Sequence, residues 1–409
     1  MNAATVLPAF AGYGIELEYM IVDRQTLSVM PIADALLHTQ AGAGAEVVHG
    51  RFGWSNELVL HLVEIKNVRP DPALDPLAAG FQAEVNAINR RLLPLGARLM
   101  PTGMHPWMSP ATETHLWPHE HASIYQAYDR VFDCRQHGQA NLQSMQINLP
   151  FAGDDEFARL HAAVRLVLPI LPALAASSPL ADGRPGGTLD TRMAAYGSAV
   201  QRVPSAIGRL IPDTVASQAD YVHRVLEPLY RDIAPFDPEG VLRHEWLNAR
   251  GAIPRFARNA IEIRVIDMQE CPQADLAIAA AASAVIRALY DARWSPLALQ
   301  QAIGTEALAN ILDACVRDAE QATIADAGYL RLVGVSDRQC QAGALWRRLI
   351  ESTLDSTTPW REPLRVMLEQ GPLARRILRA VGPRCTNLRL KLVYRILCDC
   401  LQAGRMFET

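Results

Sequence analysis

The chain has 409 residues, half of them hydrophobic, and carries 39 basic against 43 acidic side chains for a net charge of −4. That is enough apolar material for two or three domains or for one large domain with an appendage, and a nearly balanced charge gives no electrostatic reason to expect nucleic acid or an anionic membrane as partner. Small molecules are the expected partners, and a homo-oligomer is compatible with the composition.

In chain order, strands are predicted at residues 13–23, 56–68, 98–104, 141–150 and 260–267. Each is rich in alternating or β-branched apolar residues and is bounded by Gly, Pro or Asn. Amphipathic helices are predicted between them at 33–41, 76–93, 119–135 and 154–176. The last carries Asp154 and Asp155 where an N-cap and a first-turn acid belong. From residue 275 strand signals vanish, and helices are predicted at 275–293, 306–327, 339–355 and 388–404. The expected organisation is an α+β domain over 1–275, with a helical C-terminal region over 276–409 packed on it. "MNAATVLPAFAGYG" lacks the basic and long apolar segments of a secretory leader, so the cytoplasm is the expected compartment. Seven cysteines without CxxC spacing argue against a disulfide framework and against structural zinc.

The strands carry an unusual polar complement. Side chains at i and i+2 share a strand face, which sets Glu16 and Glu18 of "GIELEYMIVD" opposite Ile15, Leu17 and Tyr19. Gln146 and Asn148 share a face in "SMQINL", and so do Glu262 and Arg264 in "AIEIRVID". In "SNELVLHLVEIKN" Glu57 and His61 are in phase, whereas Glu64 joins them only through a bulge. A solvated face would mix Lys, Thr and Ser; these positions are dominated by carboxylates. Gathered on one face, carboxylates require cations, and oxygen-rich sites suit Mg²⁺ or Mn²⁺. An arginine beside them points to an anionic substrate, most naturally a phosphate. No GxxxxGK[ST] loop and no GxGxxG follows a strand, so a nucleotide would be held through metal-bridged phosphates on the sheet.

Together these motifs resemble glutamate–cysteine ligase family 2, the plant and bacterial carboxylate–amine ligase branch. "GIELEYMIVD" is similar to its GxExE strand, "ELVLHLVEIKN" to its second acidic strand and "TGMHPW" at 102–107 to its G-T-H-P-F loop. "LAASSP" at 174–179 resembles its S-A-S-S-P helix end, and "AIEIRVIDMQECP" its I-E-x-R strand. The resemblance implies a glutamine-synthetase-like antiparallel sheet cupping ATP and two or three divalent cations. It implies that Glu16, Glu18, Glu64 and Glu262 hold metal and that Arg264 contacts the transferred phosphate. The implied reaction is ATP-dependent ligation of a carboxylate, usually the glutamate γ-carboxylate, to an amine through an acyl phosphate.

His61 and His105 are candidates to assist the amine step. Glu57, Gln146, Asn148, Arg192, Arg255 and Arg258 are candidates for binding nucleotide or substrate. Gln146 stands where the family often has histidine, and an amide cannot titrate near neutral pH, so its expected role is positioning. The stretch 182–192 is expected to form a lid that brings Arg192 to an anion. His115, His119 and His121 fall close together, but Pro118 interrupts them. A two-metal phosphohydrolase and a catalytically silent binding homologue would use the same carboxylates and are the competing readings.

Overall fold

The computed structural model describes residues 6–39 and 42–409, so the end of the helix expected at 33–41 lies outside the described residues. The fold is α+β, as expected. Its eight-stranded sheet comprises β1 (Gly14–Asp23), β2 (Glu46–His49), β3 (Phe52–Asn56), β4 (Leu62–Asn67), β5 (Ala97–Met100), β6 (Ser144–Pro150), β7 (Ala252–Arg255) and β8 (Ala260–Asp267). The strand order is β7-β8-β6-β1-β4-β3-β2 and all pairings are antiparallel. β5 pairs with the second half of β1, from Met20 to Asp23, beyond the stretch from Gly14 to Leu17 that pairs with β6.

Alternation makes one face of this sheet apolar. Ile15, Leu17, Tyr19, Ile65, Ile147, Ile261 and Ile263 are all fully buried. They pack in one core with α1 (Asp75–Leu92), α3 (Gly153–Val167) and α5 (Pro272–Tyr290). Burying such side chains contributes about 1.5–3 kcal/mol each, which makes this layer the main source of stability. The helix expected at 154–176 is interrupted after Val167, because Pro169 and Pro172 cannot donate to the preceding turn; a short 3₁₀ turn and a second helix, Leu171–Ala175, complete it. This stretch and α5 are long and apolar enough to cross a membrane, but 94% and 78% of their most apolar windows are buried, so they are core helices.

The single strand expected over 56–68 is instead a hairpin. β3 ends at Asn56, residues 57–61 make the connection, and β4 returns antiparallel with Asn56 opposite Val63. No bulge is needed to bring Glu64 to the polar face, because the turn resets the alternation. A register irregularity does occur in β8, between Ile263 and Ile266 where it pairs with β6.

α2 (Ala122–Phe132) and α4 (Thr191–Ser198) precede and follow α3 in sequence. With residues 200–249 they form a small apolar cluster that walls one side of the polar face. The C-terminal part is helical as expected, including α6 (Thr305–Asp318), α7 (Ala342–Thr353), α8 (Arg361–Gln370), α9 (Leu373–Val381) and α10 (Asn387–Ala403). α8 and α9 lie between the helices expected at 339–355 and 388–404 and add to them. Residue 275 falls inside α5, and core residues from α6 and α7 share the apolar cluster beneath the sheet.

Candidate active site

The register places the carboxylates side by side. Glu18 on β1 is directly opposite Glu64 on β4, and Glu16 lies between Lys66 and Gln146 on its two neighbours. Glu262 on β8 is opposite Asn148. Glu57 reaches the same place from the β3–β4 connection, and carboxylate oxygens of Glu18, Glu57 and Glu64 lie within 4.8 Å of one another.

Each carboxylate has a distinct environment. Glu18 accepts from the Ser144 backbone N–H at 2.7 Å and from Gln146 Nε2 at 2.8 Å. Glu64 accepts from Ser55 Oγ at 2.6 Å and from Lys66 Nζ at 3.0 Å. Glu16 accepts from Asn148 Nδ2 at 3.1 Å, with an Arg258 guanidinium nitrogen 3.8 Å away. Glu262 is fully buried between two arginines, 2.6 Å from Arg255 and 2.9 Å from Arg264.

The titration behaviour follows from these neighbours. Burial, then repulsion from Glu64 and Glu262, pushes Glu16 well above the usual carboxylate range. Burial, then Glu18, Glu64 and Glu16, does the same to Glu57. Burial also raises Glu18. Burial opposes ionisation of Glu64 too, but Lys66 and the Ser55 hydroxyl outweigh it and hold that group low. Arg255 and Arg264 are engaged by Glu262, so the cations left facing Glu16, Glu18, Glu57 and Glu64 are chiefly Lys66 and, at 3.8 Å from Glu16, Arg258. That surplus of crowded anionic oxygen fits divalent cations.

Two cavities open beside this row at successive positions along β1. One, of about 220 Å³, adjoins Glu18, Glu57, Gln146, Arg192 and Arg264 and is walled by Tyr125, Tyr128, Tyr196 and Trp246. The other, of about 460 Å³, adjoins Glu16, Lys66, Asn148 and Arg258, with Val68, Pro70 and Pro150 as apolar lining. The carboxylates thus stand where two ligands would meet.

Arg192 is not carried by a swinging lid. It lies in the first turn of α4, which Asp190 caps, and only 3% of it is exposed. Its Nε donates to Asp267 at 2.5 Å, and its terminal nitrogens donate to the Arg264 backbone carbonyl at 3.3 and 3.4 Å, pinning the irregular part of β8. Asp267 also accepts from the Ser177 N–H and from Ser178 Oγ. A Cβ on residue 103 would come 2.4 Å from the Asp267 carboxyl carbon, so glycine is required in "TGMHPW" for close approach. These contacts join three of the motifs into one buried brace.

His61 and His105 line neither cavity. Nε2 of His61 is bonded to the Ala140 carbonyl at 2.8 Å, and that of His105 to the Leu27 carbonyl at 2.7 Å. His115, His119 and His121 form no metal-ligating group among the described residues. Burial lowers the pKa of His61 and His105 to about 4, and that of His161 to about 3. The unfolded chain takes up these protons near pH 6.5, so each histidine contributes stability that is present above pH 6.5 and is lost as pH falls toward 4. That contribution is on the order of 3 kcal/mol per group. Urea denaturation across pH 7 to 4 should show a steep loss, reduced in His161→Phe; a flat profile would contradict neutral buried rings.

Glu57 is the residue whose place sequence periodicity misjudged. Strand periodicity puts it on a strand face, whereas the turn brings it against Glu18 and Glu64 and to the edge of the smaller cavity. The signal available was its seven-residue distance from Glu64, readable only with the hairpin in hand.

The glutamate–cysteine ligase family 2 profile matches residues 13–391. The chain belongs to glutamate–cysteine ligase family 2. It is 35% identical over 276 residues to an uncharacterized protein of Archaeoglobus fulgidus, covering 67% of this chain and 74% of that one. It is 27% identical over 270 residues to the candidate glutamate–cysteine ligase 2-3 of Rubrobacter xylanophilus, covering 65% of this chain and 66% of that one. In fold, this family 2 chain is similar to the crystal structure of glutamate–cysteine ligase from Francisella tularensis in complex with AMP. The TM-score is 0.57 at 13% identity, over 96% of this chain and 92% of the other.

Proposed function

We propose that this protein is an ATP-dependent carboxylate–amine ligase that phosphorylates a carboxylate, the glutamate γ-carboxylate in the simplest case, and joins the acyl phosphate to an amine. ADP and phosphate are the by-products. The observation that carries this reading is the row of Glu16, Glu18, Glu57 and Glu64 between two cavities, with Arg264 at its edge.

Glu18, Glu57 and Glu64 would hold one Mg²⁺ or Mn²⁺, and Glu16 with Glu262 is offered for the remaining ions. Bound there, divalent cations supply charge neutralisation at phosphate oxygens. The larger, partly apolar cavity suits the nucleotide, whose phosphates would meet Lys66, Arg258 and Asn148. The smaller one suits the acid, with Arg264 beside the reacting carboxylate. Gln146 and the Ser144 N–H fix the rotamer of Glu18, a positioning role that needs no titratable group. Tyr125, Tyr128 and Trp246 limit water near an acyl phosphate. Arg255 acts through Glu262, which it holds against Arg264. With both Nε2 atoms committed to backbone carbonyls, His61 and His105 support the loops around the site, and their substitution should leave the pH profile of turnover in place.

The decisive experiment is a product-mass screen with ATP, Mg²⁺ and pairs of acids and amines. ADP and phosphate should form only with a matched pair; AMP, or phosphate release from a phosphoester without any amine, would overturn the reading. Glu57→Gln should raise the Mg²⁺ concentration for half-maximal turnover by roughly tenfold or more, since it replaces an anionic carboxylate ligand by a neutral amide. An unchanged Mg²⁺ titration would remove Glu57 from the metal set.

A further inference from the structure

Away from the carboxylate row, a cavity of about 400 Å³ opens beside the start of β1. It lies between the N-terminal end of α1, the outer half of α5 and the segment joining α7 to α8. Two groups of opposite charge line it, Asp75 in the first turn of α1 and Arg287 in the last turn of α5. Both residues are exposed at the cavity mouth; among the described residues neither has an ion-pair partner, and they do not pair with each other, while the Arg287 guanidinium lies 4.9 Å from the Phe10 ring centroid. One turn before Arg287 on the same helix face, Ser283 also lines the cavity. Its residue is 97% buried, and its Oγ has no hydrogen-bond partner. Leu74, Leu354 and Trp360 supply an apolar wall.

A simple anion would meet Asp75 and a simple cation would meet Arg287. A zwitterion satisfies both and offers Ser283 an oxygen to bond. We propose that this cavity binds a free α-amino acid with an uncharged apolar side chain. Its carboxylate lies on Arg287 and Ser283, its ammonium on Asp75 and its side chain against Leu74, Leu354 and Trp360. Tyr13 forms part of the same lining, exchanges backbone hydrogen bonds with Asp71 and immediately precedes Gly14 of β1. A ligand tying Tyr13 to the C-terminal helices therefore restrains the strand that carries Glu16 and Glu18. On the ligase reading above, this makes the cavity a regulatory site; the binding itself does not depend on that reading.

The test is calorimetric titration of the full chain with L-leucine, L-methionine and L-phenylalanine, alongside 4-methylpentanoate and isopentylamine as leucine without its ammonium or without its carboxylate. Saturable binding is expected for at least one amino acid and for neither truncated compound. It should be equally strong in Glu64→Gln, and weaker by about tenfold or more in Arg287→Gln and Asp75→Asn. Ala284→Leu, which adds bulk at the half-exposed rim, should block it without disturbing a charge. The bound amino acid should also change the rate of ADP release in the unmodified protein and not in Arg287→Gln. No saturable binding, or binding lost in Glu64→Gln and kept in Arg287→Gln, would overturn the site. Binding without any effect on turnover would overturn the regulatory role. If no acid and amine pair is ligated at all, the ligase reading fails while the titrations still decide the cavity.

Discussion

Glu262→Gln is expected to abolish ligation while leaving a protein that is folded but measurably weakened. The Glu262 carboxylate is fully buried and is the shared partner of Arg255 and Arg264. A neutral amide cannot balance two guanidinium groups, and breaking a buried pair by removing one partner costs about 3–5 kcal/mol because the remaining charge stays desolvated. Arg264 would then relax away from the smaller cavity toward other acceptors, such as the Asn248 carbonyl it already touches at 3.3 Å. Loss of one aligned group that stabilises transition-state charge typically costs about 10²–10³ in turnover, and on the ligase reading proposed above the substitution also removes a carboxylate offered to the cations. Initial rates of ADP release, measured with urea denaturation of the same sample, separate the two effects. Turnover unchanged in a stable variant would remove Glu262 and Arg264 from the site together.

Asp267→Ala should be strongly destabilising. The carboxylate is fully buried and accepts from the Ser177 N–H at 2.8 Å, Ser178 Oγ at 2.7 Å and Arg192 Nε at 2.5 Å. Removing it strands a buried guanidinium and orphans two further donors, for a loss of about 3–5 kcal/mol or more. The effect should reach the site, because Arg192 also holds the Arg264 carbonyl where β8 departs from regular pairing with β6. Asp267→Asn, which keeps an acceptor for the serines, should cost less and still loosen Arg192. Equal midpoints in urea for all three proteins would show that the brace adds nothing.

The polar alternation along β1, β6 and β8 was readable because strand periodicity is local. Once Ile15, Leu17 and Tyr19 are buried, Glu16 and Glu18 have to share the other face. The same rule failed between Asn56 and Glu64, since no strong turn residue marks the reversal and the periodicity continues through it. Arg192 illustrates a second limit. A glycine-rich stretch with arginines suggests mobility, whereas the distant Asp267 turns that arginine into a fixed part of the scaffold. For His61 and His105 the deciding partners are backbone carbonyls of Ala140 and Leu27, which no side-chain pattern announces.

By itself, the sequence determined the secondary-structure classes, the apolar layer beneath the sheet and the set of carboxylates and arginines available for chemistry. These follow from residue type and short-range spacing. Only the tertiary structure decided the convergence of Glu57 with Glu18 and Glu64, the enclosure of Glu262 by Arg255 and Arg264, and the cavity between Asp75 and Arg287. Each depends on strand register and helix packing, which bring together groups that are far apart along the chain.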